Sequence, residues 1–155
     1  MIEEDDDLTP EEELQDLLET LVEALAVDGE VTVSEDAGVL RGSVEGDGAE
    51  VLVGADGAVL EAIQHIAQRI VLRGTADLRV VVDAAGYRGR REGELREEAD
   101  RVAEMVVSEG RRIALRPMPA AERRFVHEYL RERGDVETHS EGDEPRRRLV
   151  VSPGD

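Results

Sequence analysis

The sequence contains no cysteine, no tryptophan and no lysine, and aromatic residues make up only 2% of its 155 residues. The absence of cysteine excludes disulfide frameworks, cysteine-based zinc sites, iron–sulfur clusters and thiol nucleophiles. No apolar run approaches the roughly 18 residues of a membrane-spanning helix, and the acidic start of the chain differs from the basic first region of a secretory signal. We therefore expect a cytoplasmic protein with an aliphatic core and without a metal or other cofactor.

The charge of the chain is distributed unevenly along its length. There are 38 acidic residues against 19 basic residues, all of them arginine, and the formal net charge is −19. Residues 1–50 carry 18 acids and one arginine, for a net charge of −17, whereas residues 88–148 carry 15 of each. The total charge opposes nucleic-acid binding. The arginine density of the last third favours it locally, because phosphate contacts are made by surface patches.

The hydrophobic periodicity predicts an α+β protein made of two small domains. Residues 1–8 form an acidic tail that we expect to be disordered. Residues 9–86 read as an α–β–β–α–β unit, and residues 87–155 read as an α–β–α–β–β unit. Each unit is near the lower size limit for independent stability.

Five local features complete this prediction. Thr9-Pro10 begins the first helix, with threonine as N-cap and proline at the first helical position. Residues 49–53 are expected to form a further strand, and Gly74 is expected to cap the second helix. The nearly continuous apolar run over residues 78–82 predicts a strand that is central or buried on both faces. A third helix is expected over residues 92–107.

The first candidate binding motif is Gly54-Ala55-Asp56-Gly57, placed between a predicted strand and a predicted helix. Glycines allow a nucleic-acid backbone to approach closely, and the first amides of a helix donate to phosphate oxygens. An ordinary turn into the helix with Asp56 as N-cap explains the same spacing, and the spacing alone favours that interpretation. A carboxylate in the loop also repels phosphate and competes for the same amides.

The second candidate motif is Arg123-Arg124-Phe125-Val126-His127 on the fourth predicted helix. Arg123 and His127 are four residues apart and therefore share one helix face. The planar guanidinium of arginine matches phosphate oxygens, and histidine can bond to a phosphate or stack on a base. Arg147 and Arg148 of the last predicted strand would add charge nearby. A solvated helix face with weak surface ion pairs is the alternative.

A third cluster, Tyr87-Arg88-Gly89-Arg90-Arg91, lies between the two predicted units. It reads either as a linker that follows a nucleic-acid backbone or as a solvated hinge.

Three motifs in the second half of the chain resemble the Jag family of bacterial SpoIIIJ-associated proteins. They are Tyr87-Arg88-x-Arg90-Arg91-x3-Leu95, then Leu115-x-Pro117-Met118-x3-Glu122-Arg123-x3-His127, and then Thr138-x-Ser140-Glu141-Gly142-x-Glu144-Pro145-x-Arg147-Arg148-x-Val150-Val151. The resemblance is looser over residues 31–86, where Gly54-x-x-Gly57 and Gln64 fit, and it does not cover residues 1–30 well.

The resemblance implies a KH domain followed by an R-x3-H ("R three H") domain that binds single-stranded nucleic acid. It implies single-stranded RNA as a partner in the cytoplasm and a link to the control of cell elongation, division and shape. A small single-KH protein as partner, and proximity to the membrane insertase, are also implied. Arg123 and His127 match the name-giving pair, and Gly54 and Gly57 match the KH loop. Asp56 stands where the family often has a basic residue, which shifts the expected RNA contact to the second unit.

The leading hypothesis is thus a non-catalytic RNA-binding regulator without a small-molecule substrate. A protein-interaction adaptor, whose KH unit has lost RNA binding and pairs with another KH protein, is the alternative. A nuclease is disfavoured, because His127 has no evident second group for acid–base chemistry. The candidate RNA-binding residues are Arg123, His127, Arg124, Arg147, Arg148, Arg88, Arg90, Arg91, Gly54 and Gly57.

Overall fold

The computed structural model describes residues 8–73 and 77–155. The chain divides into two compact units, Met1–Arg88 (unit 1) and Gly89–Asp155 (unit 2). Most of the predicted acidic tail and the predicted helix cap at Gly74 lie outside the described residues. Mixed helices and small sheets confirm the α+β class, and both predicted element orders are found.

Unit 1 contains two helices and a three-stranded sheet. Its elements are α1 (Pro10–Ala24), β1 (Glu30–Asp36), β2 (Val39–Glu45), α2 (Ala58–Val71) and β3 (Arg79–Ala84), with two short 3-10 helices at Ala49–Leu52 and Ala55–Gly57. β1 and β2 are antiparallel, β2 and β3 are parallel, and β2 is the central strand. The parallel pair is joined by α2, as a crossover connection requires.

The start of α1 is fixed by a capping box. The Thr9 side chain accepts from the amide of Glu12, and the Glu12 carboxylate accepts from the amide of Thr9 at 2.8 Å. These two bonds satisfy amides that have no partner within the helix. Leu14 and Leu18 then face the sheet, where Gly42 of β2 allows close approach: a Cβ at Gly42 would lie 2.6 Å from the Leu18 side chain.

The prediction of a central β3 is wrong, because β3 lies at the edge of its sheet. Gln64 of α2 covers part of that edge: its amide donates to the carbonyl of Val80 and accepts from the amide of Val82, both at 2.7 Å. Arg88 adds a bond from Nε to the Val82 carbonyl at 2.7 Å. These side chains satisfy backbone groups that an edge strand otherwise leaves without hydrogen-bond partners. The apolar run of β3 is therefore compatible with an edge position.

The predicted strand over residues 49–53 is also wrong, since residues Ala49–Leu52 form a 3-10 helix. Ala49 and Leu52, three residues apart, are both buried, while Val51 between them is 53% exposed. Burial at a spacing of three is typical of a 3-10 turn. Alternation along a strand would instead have buried Ala49 and Val51 on the same face.

Unit 2 contains most of one long helix, a second helix and another three-stranded sheet. Its elements are α3 (Tyr87–Glu109), β4 (Ile113–Ala114), α4 (Ala120–Arg131), β5 (Val136–Glu141) and β6 (Arg148–Pro153). The sheet is antiparallel, with β6 between β4 and β5. The core of unit 2 is aliphatic and contains Leu95, Ala99, Ala103, Val106, Leu115, Met118, Val126, Leu130, Val136, Leu149 and Val151.

Residues Tyr87–Arg91, which were expected to form a linker or a hinge, are the first residues of α3. The carboxylate of Asp83 accepts from the amide of Arg88 at 3.2 Å. It thereby satisfies an amide at the helix start and places negative charge at the positive end of the helix dipole. No helix among the described residues has the length and apolarity needed to cross a membrane.

Candidate nucleic-acid interface

An open groove of about 410 Å³ lies in unit 2 between α4 and β5. We call it the α4–β5 groove. α4 supplies the first wall, and β5 together with the residues before and within β6 supplies the other. The lining residues are Ala120, Arg123, Arg124, His127, Thr138, His139, Ser140, Arg147 and Leu149. Four of the predicted site residues, Arg123, Arg124, His127 and Arg147, are therefore brought together.

Arg123 is a structural part of the groove wall, since only 7% of the residue is exposed. Its Nη1 donates to the carbonyl of Met118 at 2.6 Å and to that of Arg147 at 3.4 Å. Its Nη2 donates to the Glu144 carboxylate at 2.5 Å. One guanidinium thus ties α4 to the segment before it and to the segment before β6. The alternative of a solvated surface arginine is wrong for this position.

His127 projects from α4 into the same groove, one turn after Arg123. Its Nδ1 is hydrogen-bonded to Oγ1 of Thr138 on β5. Within the part of the chain that the structure describes, Nε2 has no hydrogen-bond partner. The ring is therefore held at one nitrogen and offers the other to a ligand.

Arg124 and Arg147 are the two arginines of the groove that remain accessible. The Arg124 side chain is 80% exposed and makes an i,i+4 pair with Glu128 at 2.9 Å. Hydrogen bonding by Arg124 holds the pKa of Glu128 below its usual value, but an exposed pair of this kind stabilises the fold only weakly. Arg147 is half-buried and donates through Nη1 to the carbonyl of Gly142 at 2.9 Å. Both guanidinium groups keep donors for a ligand.

Arg148 is not among the residues that line the groove. It is the first residue of β6 and precedes Leu149, which does line the groove. Successive side chains of a strand point to opposite faces of the sheet. Arg148 therefore lies on the face away from the groove, although the residue itself is exposed.

The predicted basic cluster at the start of α3 is engaged within the protein. The guanidinium of Arg88 bonds to Val82, Gln64 and Glu61 of unit 1. Arg91 makes a bidentate ion pair with Glu122, at 2.8 and 2.9 Å. Bidentate arginine–carboxylate pairs restrain both side chains, so Arg91 holds the start of α4 against α3. Arg90 is exposed.

The loop of Gly54 and Gly57 lies in unit 1, and both glycines have positive φ, of 72° and 78°. A Cβ at Gly54 would lie 2.4 Å from the Val59 side chain, and one at Gly57 would lie 2.8 Å from the Tyr87 ring. Gly57 is the N-cap of α2 without a side-chain bond, so the expected cap at Asp56 is wrong. Asp56 itself has a left-handed conformation. Packing inside unit 1 therefore explains both glycines.

The sequence prediction did not single out Thr138, His139 and Ser140, which line the groove from β5. The signal was available, because Thr138-x-Ser140 belongs to the third motif of the resemblance. These two side chains share one face of β5 by strand alternation. Their position opposite His127 depends on how β5 packs on α4, which local spacing does not reveal.

Comparison with known proteins assigns most of unit 2 to a domain family. Residues 93–153 match the family model of the "R three H" domain, which is the R-x3-H domain named above. The chain is 33% identical over 138 residues to the RNA-binding protein KhpB of Bacillus subtilis (strain 168), covering 87% of this chain and 66% of that protein. It is 33% identical over 148 residues to RNA-binding protein KhpB of Clostridium symbiosum, covering 91% of this chain and 67% of that protein. A relative of the same name from Lactiplantibacillus plantarum is 36% identical over 103 residues, or 32% of its length.

The fold and the family match thus define an α+β protein whose second unit contains an R-x3-H domain over residues 93–153. The chain belongs to the KhpB family, which is the Jag family of the resemblance. It spans about two thirds of the length of the first two relatives.

Proposed function

We propose that the protein binds single-stranded RNA through the α4–β5 groove and catalyses no reaction. The observation that carries the proposal is the convergence of Arg124, Arg147 and the open Nε2 of His127 on one groove of the R-x3-H domain. Arginine is a donor that stays charged and matches phosphate oxygens. The names of the relatives support RNA as the nucleic acid.

The roles of the groove residues differ. Arg124 and Arg147 contact phosphate, and His127 donates or accepts through Nε2. Arg123 acts as a positioning residue, because its bonds to Met118 and Glu144 leave it little access to a ligand. Arg148 and the arginines at the start of α3 contribute at most to the electrostatic potential around the groove.

The test is fluorescence anisotropy of a short, unstructured, labelled RNA titrated with the full chain at low and near-physiological salt. Arg124→Ala should weaken binding at least about tenfold, because a hydrogen bond to a charged group contributes about 1.5–3 kcal/mol. The slope of log affinity against log salt should fall by about one.

Arg131→Ala is the matched control for this experiment. Arg131 lies in the last turn of the same helix, is exposed, and is not among the groove-lining residues. The substitution removes the same charge and should change affinity less than about twofold. Equal losses in the two variants would show that net charge, and not the groove, determines binding.

The resemblance extends the proposal to a cytoplasmic regulator of cell elongation or division that works near the membrane insertase. In this proposal unit 1 is a KH-like domain. A bacterial cell with the chromosomal gene changed to encode Arg124→Ala tests the regulatory part, since altered cell length with unchanged protein abundance is the expected result. Wild-type cell length despite lost RNA binding would separate the two roles.

Unit 1 supports the adaptor as a second candidate function, acting beside RNA binding. Val51, Val59 and Ile66 are exposed apolar side chains on or near the Gly54–Gly57 segment and α2. Residues 1–88 carry 22 acids and 5 arginines. This negative charge disfavours phosphate binding by unit 1, so we expect its contacts with a partner to be apolar. A small single-KH protein is the partner that the resemblance indicates.

Light scattering after size exclusion tests the adaptor with the full chain and a purified single-KH protein. A mixed complex that is lost in Ile66→Glu, with Arg131→Ala as an unaffected control, is expected. Independent elution of both proteins would remove this candidate and leave RNA binding untouched.

A further inference from the structure

The open side-chain groups of the α4–β5 groove are almost all hydrogen-bond donors. Arg124 and Arg147 can only donate. Ser140 offers a hydroxyl, which makes no hydrogen bond within the described part of the chain and can donate or accept. Among the described residues, no carboxylate and no side-chain amide lines the groove, and residues 89–155 contain neither asparagine nor glutamine. The groove therefore suits a ligand whose polar atoms are acceptors.

The aromatic side chains of the protein lie elsewhere than in the groove. The chain has only three such residues, Tyr87, Phe125 and Tyr129. All three are described by the structure, and none lines the groove. Tyr87 packs against Gly57 in unit 1, Phe125 lies under the Arg96 guanidinium with 5.2 Å between the guanidinium carbon and the ring centre, and Tyr129 donates to Asp100. Proteins that read single-stranded RNA usually stack bases on such rings.

The two imidazoles of the groove are the remaining rings, and each is tied to a neighbour. His127 is held through Nδ1 by Thr138. His139 lies 3.5 Å from the Glu141 carboxylate through Nε2. The bond to Thr138 limits the freedom of the His127 ring to turn onto a base, whereas the longer contact of the half-exposed His139 holds its ring only weakly.

From these donors, and from the placement of the aromatic side chains outside the groove, we infer that the groove holds the sugar–phosphate backbone of RNA without reading the bases. The inference rests on the proposed RNA-binding function. Non-bridging phosphate oxygens only accept hydrogen bonds and so match a set of donors. Base edges mix donors with acceptors, and their usual protein partners are amides and carboxylates in addition to arginine. Guanine presents two adjacent acceptors, O6 and N7, and its pairing with arginine is the commonest specific base contact, so a guanine-containing strand is the strongest challenge.

The test compares the full chain with its Arg124→Ala/Arg147→Ala variant on three labelled RNAs of equal length. The first strand contains adenine, cytosine and uracil, the second has the same backbone with central bases removed, and the third carries guanine at those positions. The quantity of interest is the factor by which the double variant weakens binding to each strand. This factor isolates the groove from any base contact made elsewhere in the chain.

The expected result is a clear loss on every strand, equal among the strands within about twofold. A loss at least tenfold smaller on the abasic strand, or tenfold larger on the guanine strand, would overturn the inference while leaving RNA binding by the groove intact. No loss on any strand would overturn both the inference and the groove as the RNA site. Arg124→Gln/Arg147→Gln keeps part of both side-chain stems and serves where the alanine variant unfolds.

Discussion

The two units differ in how they use arginine. Residues 1–88 carry 5 arginines among 22 acids, whereas residues 89–155 carry 14 arginines among 16 acids. In unit 1, Arg88 bonds to a strand edge and to α2. In unit 2, Arg91 and Arg123 hold elements together while Arg124 and Arg147 remain accessible in a groove. A nearly neutral unit can therefore present cationic groups to a ligand, because some of its acids, such as Glu122 and Glu144, pair with arginines outside the open part of the groove.

The sharpest way to break this comparison is to remove Arg123. In Arg123→Ala the Glu144 carboxylate and the Met118 carbonyl lose their partner. We expect unit 2 to lose about 2–3 kcal/mol of its free energy of unfolding, because these are hydrogen bonds of a charged group. Urea unfolding followed by tyrosine fluorescence in a Tyr87→Phe background reports on unit 2, since Tyr129 is then the remaining tyrosine.

Arg116→Ala is the control for this variant. Arg116 is largely exposed and pairs with Glu98 at 3.4 Å, so its loss should cost less than about 1 kcal/mol. If Arg123→Ala keeps full stability and still loses RNA binding, Arg123 contacts the RNA directly and its assignment as a positioning residue fails.

A second test concerns the glycine loop of unit 1. Gly54 has φ 72° and ψ −172°, and an added Cβ would lie 2.4 Å from Val59. Gly54→Ala should destabilise unit 1 by about 1–3 kcal/mol, because this backbone region is almost confined to glycine. RNA affinity of the folded variant should stay within about twofold of wild type, as anisotropy can measure.

Gly93→Ala is a comparison substitution that should change stability in the opposite direction. Gly93 is inside α3, and an added Cβ would meet no atom within 4 Å. The substitution should stabilise unit 2 by about 0.5–1 kcal/mol. A large loss of RNA affinity in folded Gly54→Ala would instead place an RNA contact in unit 1.

A third test uses acid pH to separate the units. Hydrogen bonds from the Thr9 backbone and side chain lower the pKa of Glu12 from 4.5, and a hydrogen bond from Arg133 lowers the pKa of Asp135 from 3.8. Because both folded-state pKa values lie below those of the unfolded chain, each carboxylate stabilises its unit above the unfolded value. That stabilisation is lost as the pH falls through the folded value.

Thermal melts from neutral to acid pH should show that Glu12→Gln weakens the acid sensitivity of unit 1 alone. Asp135→Asn should do the same for unit 2 alone. Both effects are small, since the groups are exposed. A variant whose melting temperature follows the wild-type pH profile in its own unit would contradict the assignment.

The smallest expected effect concerns the acidic surface of unit 1. Glu19 and Glu23 lie in the second half of α1 and are exposed. Glu19→Gln/Glu23→Gln should raise RNA affinity less than about twofold at low salt and not measurably at about 0.15 M salt, where the Debye length is about 8 Å. A gain of tenfold at both salt concentrations would mean that α1 competes directly with RNA.

Local pattern was sufficient to predict the element order and the shared face of Arg123 and His127. Helical spacing places these side chains together without knowledge of the rest of the fold. The burial of Arg123 was not predictable in this way. Its carboxylate partner Glu144 is 21 residues away, and that contact depends on how the segment before β6 returns to α4. The edge position of β3 was not predictable for the same reason, because the Gln64 side chain that covers this edge is 16 to 18 residues away in sequence.

The contact between Arg123 and Glu144 also has a consequence for how the sequence can change over evolutionary time. Replacing Glu144 alone removes the carboxylate partner of the buried Arg123 guanidinium, and replacing Arg123 alone removes the side-chain donor to the Met118 carbonyl. Substitutions at the two positions are therefore energetically coupled. Arg124, exposed beside Arg123, carries no such constraint. Related chains should therefore change positions 123 and 144 only together, whereas position 124 is constrained by its proposed phosphate contact and not by the fold.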